Sequence, residues 1–215
     1  MEEKLTQYQA YLFDMDGTLV DSEPLKGKAL ALACEAYGAS VDYHCYKQVM
    51  GESWAVVTGH FFTQAGINPD LKEFNQHFRH HYEQLLSQQL TVHKGAEEYL
   101  CQLRQNGKRS ALVSSAAGWM VETILKSLQL EHCFEVVITQ EDVTKHKPDP
   151  EAYLLALERM KLSPAQAIIF EDSYAGICAA RDSGCEVVAI KHQFNPQNDL
   201  SSALLAIDDY CDLLV

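Results

Sequence analysis

Basic residues are scarce in this sequence. Lysine and arginine together number 17 against 30 aspartates and glutamates, which gives a formal net charge of −13. A surface this negative repels a phosphate backbone and cannot release counterions from it. The composition therefore predicts that neither nucleic acid nor an anionic membrane is a partner.

Long apolar runs and a secretion signal are also missing. No window approaches the roughly 18 to 20 apolar residues that a transmembrane helix needs. The start, MEEKLTQYQA, is acidic and polar, whereas a signal peptide begins with basic and then apolar residues. We therefore expect a soluble protein of the cytoplasm.

The cysteines lack the spacing of a metal or disulfide framework. Their number, seven, is odd, and none of them forms a CxxC pair. Neither a zinc knuckle nor a complete set of disulfides is indicated. Most of the cysteines are expected to be small buried hydrophobic residues in a reducing compartment.

The length of 215 residues and the 47% hydrophobic content fit one domain with a large insertion, or two small domains. Five short aliphatic or β-branched runs have the pattern of buried strands. They are Ala10 to Phe13, Ser110 to Val113, Glu135 to Ile138, Ala167 to Phe170 and Glu186 to Ile190. Amphipathic helical stretches separate the later runs, and this alternation predicts an α/β fold in which helices wrap a parallel sheet.

Residues 22–90 interrupt the alternation, because they contain successive helical patterns and no convincing strand. One predicted helix begins at Ser22, and its apolar face consists of Leu25, Ala29, Leu32 and Ala36. A second begins at Asn68 and Pro69, and its face consists of Leu71, Phe74, Phe78, Tyr82 and Leu85. We predict an all-helical domain of residues 22–90, inserted into a core of residues 1–21 and 91–215. No Pro/Gly/Ser-rich linker is present, so short hinges are expected near residues 20–22 and 90–95.

Reactive side chains follow the predicted strands. In open α/β sheets, functional groups lie beyond the carboxyl ends of the strands. The candidates there are Asp14, Asp16 and Gly17 after the first strand, Ser114 and Ser115 after the second, Glu171 and Asp172 after the fourth, and Lys147 in the loop beyond the third. Acidic groups, hydroxyls and a lysine are thus predicted to converge on one rim.

These residue types suit phosphoryl transfer. Clustered carboxylates repel one another, and a hard cation such as Mg²⁺ among oxygen ligands relieves that repulsion. A metal and a lysine together would neutralise a phosphoryl group. Asp14 could then attack phosphorus, while Asp16 protonates the leaving oxygen and later activates water. Gly17 would let the backbone turn tightly enough to direct amides at phosphoryl oxygens.

Four motifs at these positions resemble those of the haloacid dehalogenase superfamily in its phosphatase form. They are DMDGT at 14–18, Ser114, KPDP at 147–150 and EDSYAG at 171–176. The match covers nearly the whole chain. The helical segment is similar to the small mobile cap of the β-phosphoglucomutase-like subgroup, which closes over the site and selects the substrate.

The resemblance implies a Rossmann-like core and an aspartyl-phosphate intermediate at Asp14. It implies a Mg²⁺ ion held by Asp14, the backbone carbonyl of Asp16 and Asp172, with Glu171 supporting the metal shell. It also implies that Ser114, with Thr18 nearby, binds the transferring phosphoryl group and that Lys147 bridges this group to Asp14. Gly17, through the backbone amides at its turn, and Ser115, next to Ser114, are further candidates for binding the phosphate.

Two positions in the helical segment depart from the mutase pattern. That pattern reads Asp-Ser-Glu-Pro-Leu-His after the first loop, whereas this chain reads DSEPLK and ends in Lys26. The mutase pattern also follows its cap glycine with a Ser-Arg pair, whereas Gly51 is followed by Glu52, Ser53 and Trp54. Lys26 is either a substrate contact or a helix lysine whose stem covers apolar surface. Trp54 is either a packing residue or a wall of the substrate pocket.

Several simpler interpretations remain beside the functional ones. The DxD pair could be a solvated turn, Ser114 and Ser115 could cap a helix, and Lys147 could be a surface lysine. His77 and His81 have the i, i+4 spacing of a zinc pair but lack a third ligand at motif spacing, which favours an ordinary helix flank.

The sequence taken as a whole predicts a Mg²⁺-dependent phosphatase that hydrolyses a small, sugar-like phosphate monoester. The alternatives are a phosphosugar mutase and, more distantly, a phospho-accepting signalling domain. A small phosphorylated metabolite is the expected partner, and a monomer or weak homo-oligomer is the expected state.

Overall fold

The computed structural model describes residues 5–214, in which six strands form one sheet. The strands are β1 (Ala10–Phe13), β2 (Arg109–Val113), β3 (Val136–Ile138), β4 (Ala167–Glu171), β5 (Glu186–Ile190) and β6 (Leu205–Ile207). Every neighbouring pair is parallel, and the spatial order is β3-β2-β1-β4-β5-β6. The predicted parallel α/β fold with a Rossmann-like core is therefore confirmed.

Helices follow the strands in the order that the sequence predicts. After β1 the chain forms α1 (Glu23–Glu35), α2 (Trp54–Ala65), α3 (Leu71–Gln89), α4 (Ala96–Gln105), α5 (Gly118–Ser127), α6 (Glu151–Met160) and α7 (Tyr174–Asp182). Short 3₁₀ segments lie at Tyr43–Gln48, Gln140–Asp142, Pro164–Gln166 and Tyr210–Leu213. Within residues 5–214, no helix combines the length and the apolar character needed to cross a bilayer.

The described chain divides into two compact units, residues 5–20 with 92–214 and residues 21–91. The larger unit contains the whole sheet. Strands β1 and β4 are buried along their full length because apolar side chains cover both faces of the sheet. One face packs on α6 and α7 through Tyr153, Leu157 and Ile177, and the other carries an aromatic cluster of Tyr11, Phe13, Tyr99, Phe170 and Tyr210.

The order of the strands determines where a site can form. The chain runs from β1 outward to β2 and β3, and then returns to place β4, β5 and β6 on the other side of β1. The two directions of winding meet between β1 and β4. In open parallel sheets the ligand crevice lies at this switch point, beyond the carboxyl ends of the strands.

The smaller unit is helical, and no strand occurs among residues 21–91. In α1, Leu25 and Ala29 are buried as predicted, but Leu32 is only half-buried and Ala36 is exposed. The buried positions of α1 are instead continued by Leu30, Ala33 and Cys34. Helix α1 packs against α3 and also against the 3₁₀ segment Tyr43–Gln48. Because it has these two neighbours, its buried face is wider than a single stripe of residues.

Helix α3 has the predicted buried residues in its middle and different ones at both ends. Phe74, Phe78 and Tyr82 are buried, and Leu86 completes the four-residue spacing where Leu85 was expected. Leu71 is 44% exposed because it lies in the first turn of the helix. The helix begins later than Asn68 and Pro69, since the side chain of Asp70 accepts a hydrogen bond from the amide of Glu73. That this unit acts as a mobile, substrate-selecting cap stays a prediction.

Candidate active site

Three buried carboxylates converge at the switch point of the sheet. Asp14 follows β1, Glu171 is the last residue of β4, and Asp172 is the next residue. They are 8%, 0% and 2% exposed, respectively, and one oxygen of each lies within 4.8 Å of the others. Carboxylates are rarely buried without a cation nearby, so this cluster has the charge and the ligand type of a site for a positive ion.

The loop after β1 carries the DMDGT motif and is held by backbone hydrogen bonds, one of them to β4. The amide of Asp14 donates to the carbonyl of Phe170 at 2.9 Å, and the amide of Gly17 donates to the carbonyl of Val20 at 2.9 Å. Gly17 has φ of +79°, and a Cβ on it would lie 2.5 Å from Asp172 Oδ2. Glycine is required there both for the left-handed backbone and for the approach to Asp172. Asp16, in the same loop, is buried.

Lys147 lies between two of the carboxylates. Its Nζ donates to Asp14 Oδ1 at 2.6 Å, to Glu171 Oε1 at 2.7 Å and to the carbonyl of Val113 at 3.1 Å. The ammonium also lies 4.9 Å from the ring centroid of Tyr153. With three acceptors and a buried side chain, Lys147 is no surface lysine, which excludes that interpretation.

The electrostatics show an excess of negative charge. Burial raises the pKa of Asp14 well above its usual value, the charges of Glu171 and Asp172 raise it further, and Lys147 opposes the rise. Burial alone would lower the pKa of Lys147, but Asp14 and Glu171 raise it above its usual value. Lys147 therefore stays protonated, and its ammonium contacts two of the three carboxylates in the cluster.

Glu171 is held by five hydrogen bonds. Besides Lys147, the Tyr153 hydroxyl donates to Oε1 at 2.8 Å. Oε2 accepts from the amides of Asp172 and Ser173 and from the Ser173 hydroxyl, at 3.0, 3.2 and 3.2 Å. A Cβ on Gly176 would lie 1.9 Å from Oε1, so the glycine of the EDSYAG motif leaves the space that this carboxylate fills. Glu171 thus fixes the position of Lys147.

Each carboxylate oxygen of Asp172 has a hydrogen-bond partner. The Thr18 hydroxyl donates to Oδ1 at 2.9 Å, and His192 Nε2 lies 2.9 Å from Oδ2. Sequence reasoning missed His192, although it stands just beyond β5, where the rule used for the other strands would have identified it. Tyr153 was also missed, because a buried tyrosine on a helix face looks like an ordinary core residue.

The two serines after β2 have different environments. Ser114 is buried, its amide donates to the carbonyl of Ile138 at 3.0 Å, and its Oγ accepts from the amide of Ala116 at 3.0 Å. Ser115 is exposed. Neither serine is the N-cap of α5, since that position belongs to Ala117. Ser114 directly follows Val113, whose carbonyl accepts a hydrogen bond from Lys147. The backbone next to Ser114 therefore contacts the lysine that binds the carboxylate cluster.

The two candidates of the helical unit have partners within that unit. Lys26 Nζ lies 3.6 Å from Glu23 Oε1. Trp54 donates its indole N–H to Asn75 Oδ1 at 3.0 Å, and its ring packs on Phe78 with centroids 4.7 Å apart. Since an indole has one donor and no acceptor, the polar capacity of Trp54 is used in joining α2 to α3. This favours the packing interpretation of Trp54.

A zinc site in the helical unit finds no support in the described residues. His77 packs edge-on against the ring of Tyr37 at 5.8 Å. Among residues 5–214, three or more metal-ligating side chains converge at Asp14, Glu171 and Asp172, and neither His77 nor His81 belongs to that group.

Comparison with known proteins identifies the family. The model of the haloacid dehalogenase-like hydrolases matches residues 11–190. The chain belongs to this family. The hydrolase is 31% identical over 196 residues to a phosphorylated carbohydrates phosphatase of Thermotoga maritima, with 91% of each chain covered. It is 30% identical over 189 residues to fructose-1-phosphate phosphatase of Escherichia coli, with 86% of this chain and 97% of the relative covered.

A solved structure confirms the subgroup. A Thermotoga maritima protein provisionally assigned as a β-phosphoglucomutase superimposes with a TM-score of 0.79 and 29% identity, over 93% of this chain and 94% of that one. The chain is therefore a hydrolase enzyme with the fold of the β-phosphoglucomutase-like proteins, as the four motifs predicted.

Proposed function

We propose that this hydrolase is a Mg²⁺-dependent phosphomonoesterase that acts on small, sugar-like phosphate esters through a phosphorylated Asp14. The observation that carries the proposal is the buried cluster of Asp14, Glu171 and Asp172 at the switch point of the sheet, in which Lys147 contacts Asp14 and Glu171. Relatives that cover nearly the whole chain are phosphatases of phosphorylated carbohydrates and of fructose 1-phosphate, which supports the substrate class.

The first chemical step would be nucleophilic attack. Asp14 Oδ1 is held by Lys147, and the carboxylate would attack phosphorus as the bond from phosphorus to the ester oxygen breaks. Asp16, two residues along the same loop, would give its proton to the departing alkoxide. The same residue would then take a proton from water, which attacks phosphorus and releases inorganic phosphate together with free Asp14.

The residues present fit a hard divalent cation. All the ligand atoms of the cluster are oxygens. Burial, and then the charges of Glu171 and Asp172, raise the pKa of Asp14, and a divalent cation would stabilise the ionised carboxylate against both effects. Asp14, Asp172 and the backbone carbonyl of Asp16 would hold Mg²⁺, which would neutralise charge on the phosphoryl oxygens. Glu171, occupied by its five donors, would support the shell chiefly by positioning Lys147.

The phosphoryl group would lie among donors on the core. Lys147 would contribute its ammonium, Ser114 its hydroxyl, and Gly17 and Thr18 their backbone amides. The hydroxyl of Thr18 is already directed at Asp172, so its contribution to the phosphate is assigned to the main chain. Ser115 is exposed, and we keep it at the edge of this pocket.

Removal of the metal is expected to stop the reaction. Protein treated with EDTA should lose phosphate release and regain it with Mg²⁺, whereas Ca²⁺, with its longer and looser coordination, should support it poorly. Asp172→Asn should raise the Mg²⁺ concentration needed for half activity by about tenfold or more. Phosphate release followed across a Mg²⁺ series measures both effects. Full-speed hydrolysis of the best substrate in EDTA would show that the metal assignment is wrong.

A phosphosugar mutase is the second candidate, because the matched Thermotoga maritima structure carries that assignment. A mutase returns the phosphoryl group to a sugar hydroxyl, which requires a cap group able to deprotonate that hydroxyl. Lys26 stands where the mutase pattern has histidine, and an ordinary lysine is a poor base because it is protonated at neutral pH. Membership of a hydrolase family leaves the phospho-accepting signalling domain without support.

A screen of phosphorylated sugars separates the two enzyme activities. We expect inorganic phosphate in amounts equal to the substrate consumed, with no requirement for a sugar bisphosphate. Lys26→Ala should raise KM more than it lowers kcat, because a cation that only holds the substrate contributes equally to ground and transition states. Conversion of β-glucose 1-phosphate to glucose 6-phosphate faster than phosphate accumulates would establish the mutase instead.

We propose a cytoplasmic enzyme, supported by seven cysteines that are all free in the structure. Cell fractionation tests this location, and sedimentation velocity tests the predicted monomer or weak homo-oligomer.

A further inference from the structure

His192 is a buried side chain beside the acidic cluster to which the proposed reaction gives no role. It lies two residues beyond the end of β5, and its side chain is 6% exposed. Its Nε2 is 2.9 Å from Asp172 Oδ2. A Cβ placed on Gly17 would come within 2.9 Å of the same nitrogen, so the histidine packs directly against the DMDGT loop.

The hydrogen bonds around the ring fix its tautomer. The amide of Phe194 points at His192 Nδ1 over 3.2 Å, and a backbone amide can only donate. Nδ1 therefore accepts and carries no proton. The remaining proton of the neutral ring is on Nε2, which donates it to Asp172 Oδ2.

Asn195 holds the loop that presents this histidine. Its Oδ1 accepts from the amide of His192 at 2.9 Å, and its Nδ2 donates to the carbonyls of Asp172 and Ile190 at 2.8 Å each. The arrangement allows one orientation of the amide, because the two carbonyls need a donor and the N–H needs an acceptor. The end of β4 is thus tied to the end of β5, with His192 fixed between them.

The Asp172 carboxylate is consequently held on both oxygens. Thr18 donates to Oδ1 and His192 donates to Oδ2, and each contact is 2.9 Å long. Two donors on different chain segments restrict the rotation of the carboxylate, which keeps it oriented toward the acidic cluster. Groups that orient a metal ligand in this way commonly change metal affinity about 10- to 100-fold when they are removed.

We propose that His192 is a positioning residue that orients Asp172 for the divalent cation and thereby sets the affinity of the enzyme for it. The inference rests on the proposed function only in taking Asp172 as a metal ligand. His192 contacts the carboxylate and acts through it.

Two amide substitutions separate this role from a structural one. In H192Q the side-chain amide reaches the place of Nε2 and can still donate to Asp172, but the acceptor for Phe194 is lost. In H192N the amide reaches only the place of Nδ1, so its oxygen can accept from Phe194 while Asp172 loses its donor. H192Q thus keeps the hydrogen bond to Asp172, and H192N keeps the hydrogen bond from Phe194.

Metal binding is measured without turnover, by following free Mn²⁺ in electron paramagnetic resonance and displacing it with Mg²⁺. We expect H192Q to bind within about threefold of the parent and H192N to bind about 10- to 100-fold more weakly. Melting in EDTA should be similar for the folded variants. Phosphate release by H192N should recover when Mg²⁺ is raised in proportion.

The opposite order, with H192Q weak and H192N normal, would assign His192 to its loop and overturn the proposal. Parental affinity in both variants would also overturn it. If H192N does not fold, H192Q alone tests the proposal. A roughly tenfold loss of metal affinity in folded H192Q would contradict the positioning role of His192. Failure of the proposed function has a different signature, in which the parent itself binds neither Mn²⁺ nor Mg²⁺ or releases no phosphate from any sugar phosphate.

Discussion

Asp14→Asn is expected to abolish phosphate release, with a loss of at least about 10³-fold, the scale expected for a covalent nucleophile. An amide oxygen cannot attack phosphorus as a carboxylate does. The substituted side chain keeps its shape, and its oxygen can still accept from Lys147 Nζ, which lies 2.6 Å from Asp14 Oδ1. Because the substitution also removes one negative charge from a cluster with too many, the melting temperature should be equal to or higher than that of the parent.

The matched control is Asp182→Asn at the end of α7, where the side chain is 50% exposed and pairs with Arg181. It makes the same chemical change at an exposed aspartate outside the acidic cluster and should leave turnover unchanged. Rapid quenching of the parent with a ³²P-labelled substrate should trap label on the protein, and Asp14→Asn should trap none. A folded Asp14→Asn protein with near-normal turnover would rule out the aspartyl-phosphate mechanism.

Lys147→Met is expected to damage both stability and turnover. Methionine fills the space of the stem but leaves Asp14 and Glu171 buried without their shared ammonium. Breaking a buried ion pair by removing one partner costs about 3–5 kcal/mol, because the remaining charge is uncompensated. Loss of the cation at the phosphoryl group should lower kcat by about 10²- to 10³-fold.

The stability deficit of Lys147→Met should depend on pH in metal-free buffer. Burial already raises the pKa of Asp14, and removal of Lys147 takes away the charge that opposes that rise. The folded variant then binds a proton that the unfolded chain releases, so its stability decreases as the pH rises from the unfolded value of Asp, about 4, through the raised folded value. Urea unfolding at pH 5 and pH 7.5 in EDTA should show the larger deficit at pH 7.5.

Lys145→Met is the matched control for this substitution, since that side chain is 71% exposed and lies 3.6 Å from Asp149. An exposed ion pair of this kind contributes about 0–1 kcal/mol, so the control should stay close to the parent in stability and turnover. Equal effects of the two substitutions would contradict the buried role of Lys147.

The sequence determined strands β1 to β5 and the acidic rim, because both depend on local pattern. Strands β1 and β5 begin and end at the predicted residues, since a parallel strand buried on both faces is a continuous apolar run. Asp14, Glu171 and Asp172 could be placed together because parallel strands bring their carboxyl ends to one edge. Strand β6 was missed because it has only three residues, of which Ile207 alone is buried.

Tertiary structure decided what depends on partners distant in sequence. Leu86 and not Leu85 is buried in α3, because the neighbouring helices select the face. Trp54 is committed to Asn75, 21 residues away, and the roles of Tyr153 and His192 depend on carboxylates 18 and 20 residues away. A motif specifies which groups follow a strand, whereas a hydrogen bond between loops exists only once the strands have brought those loops together.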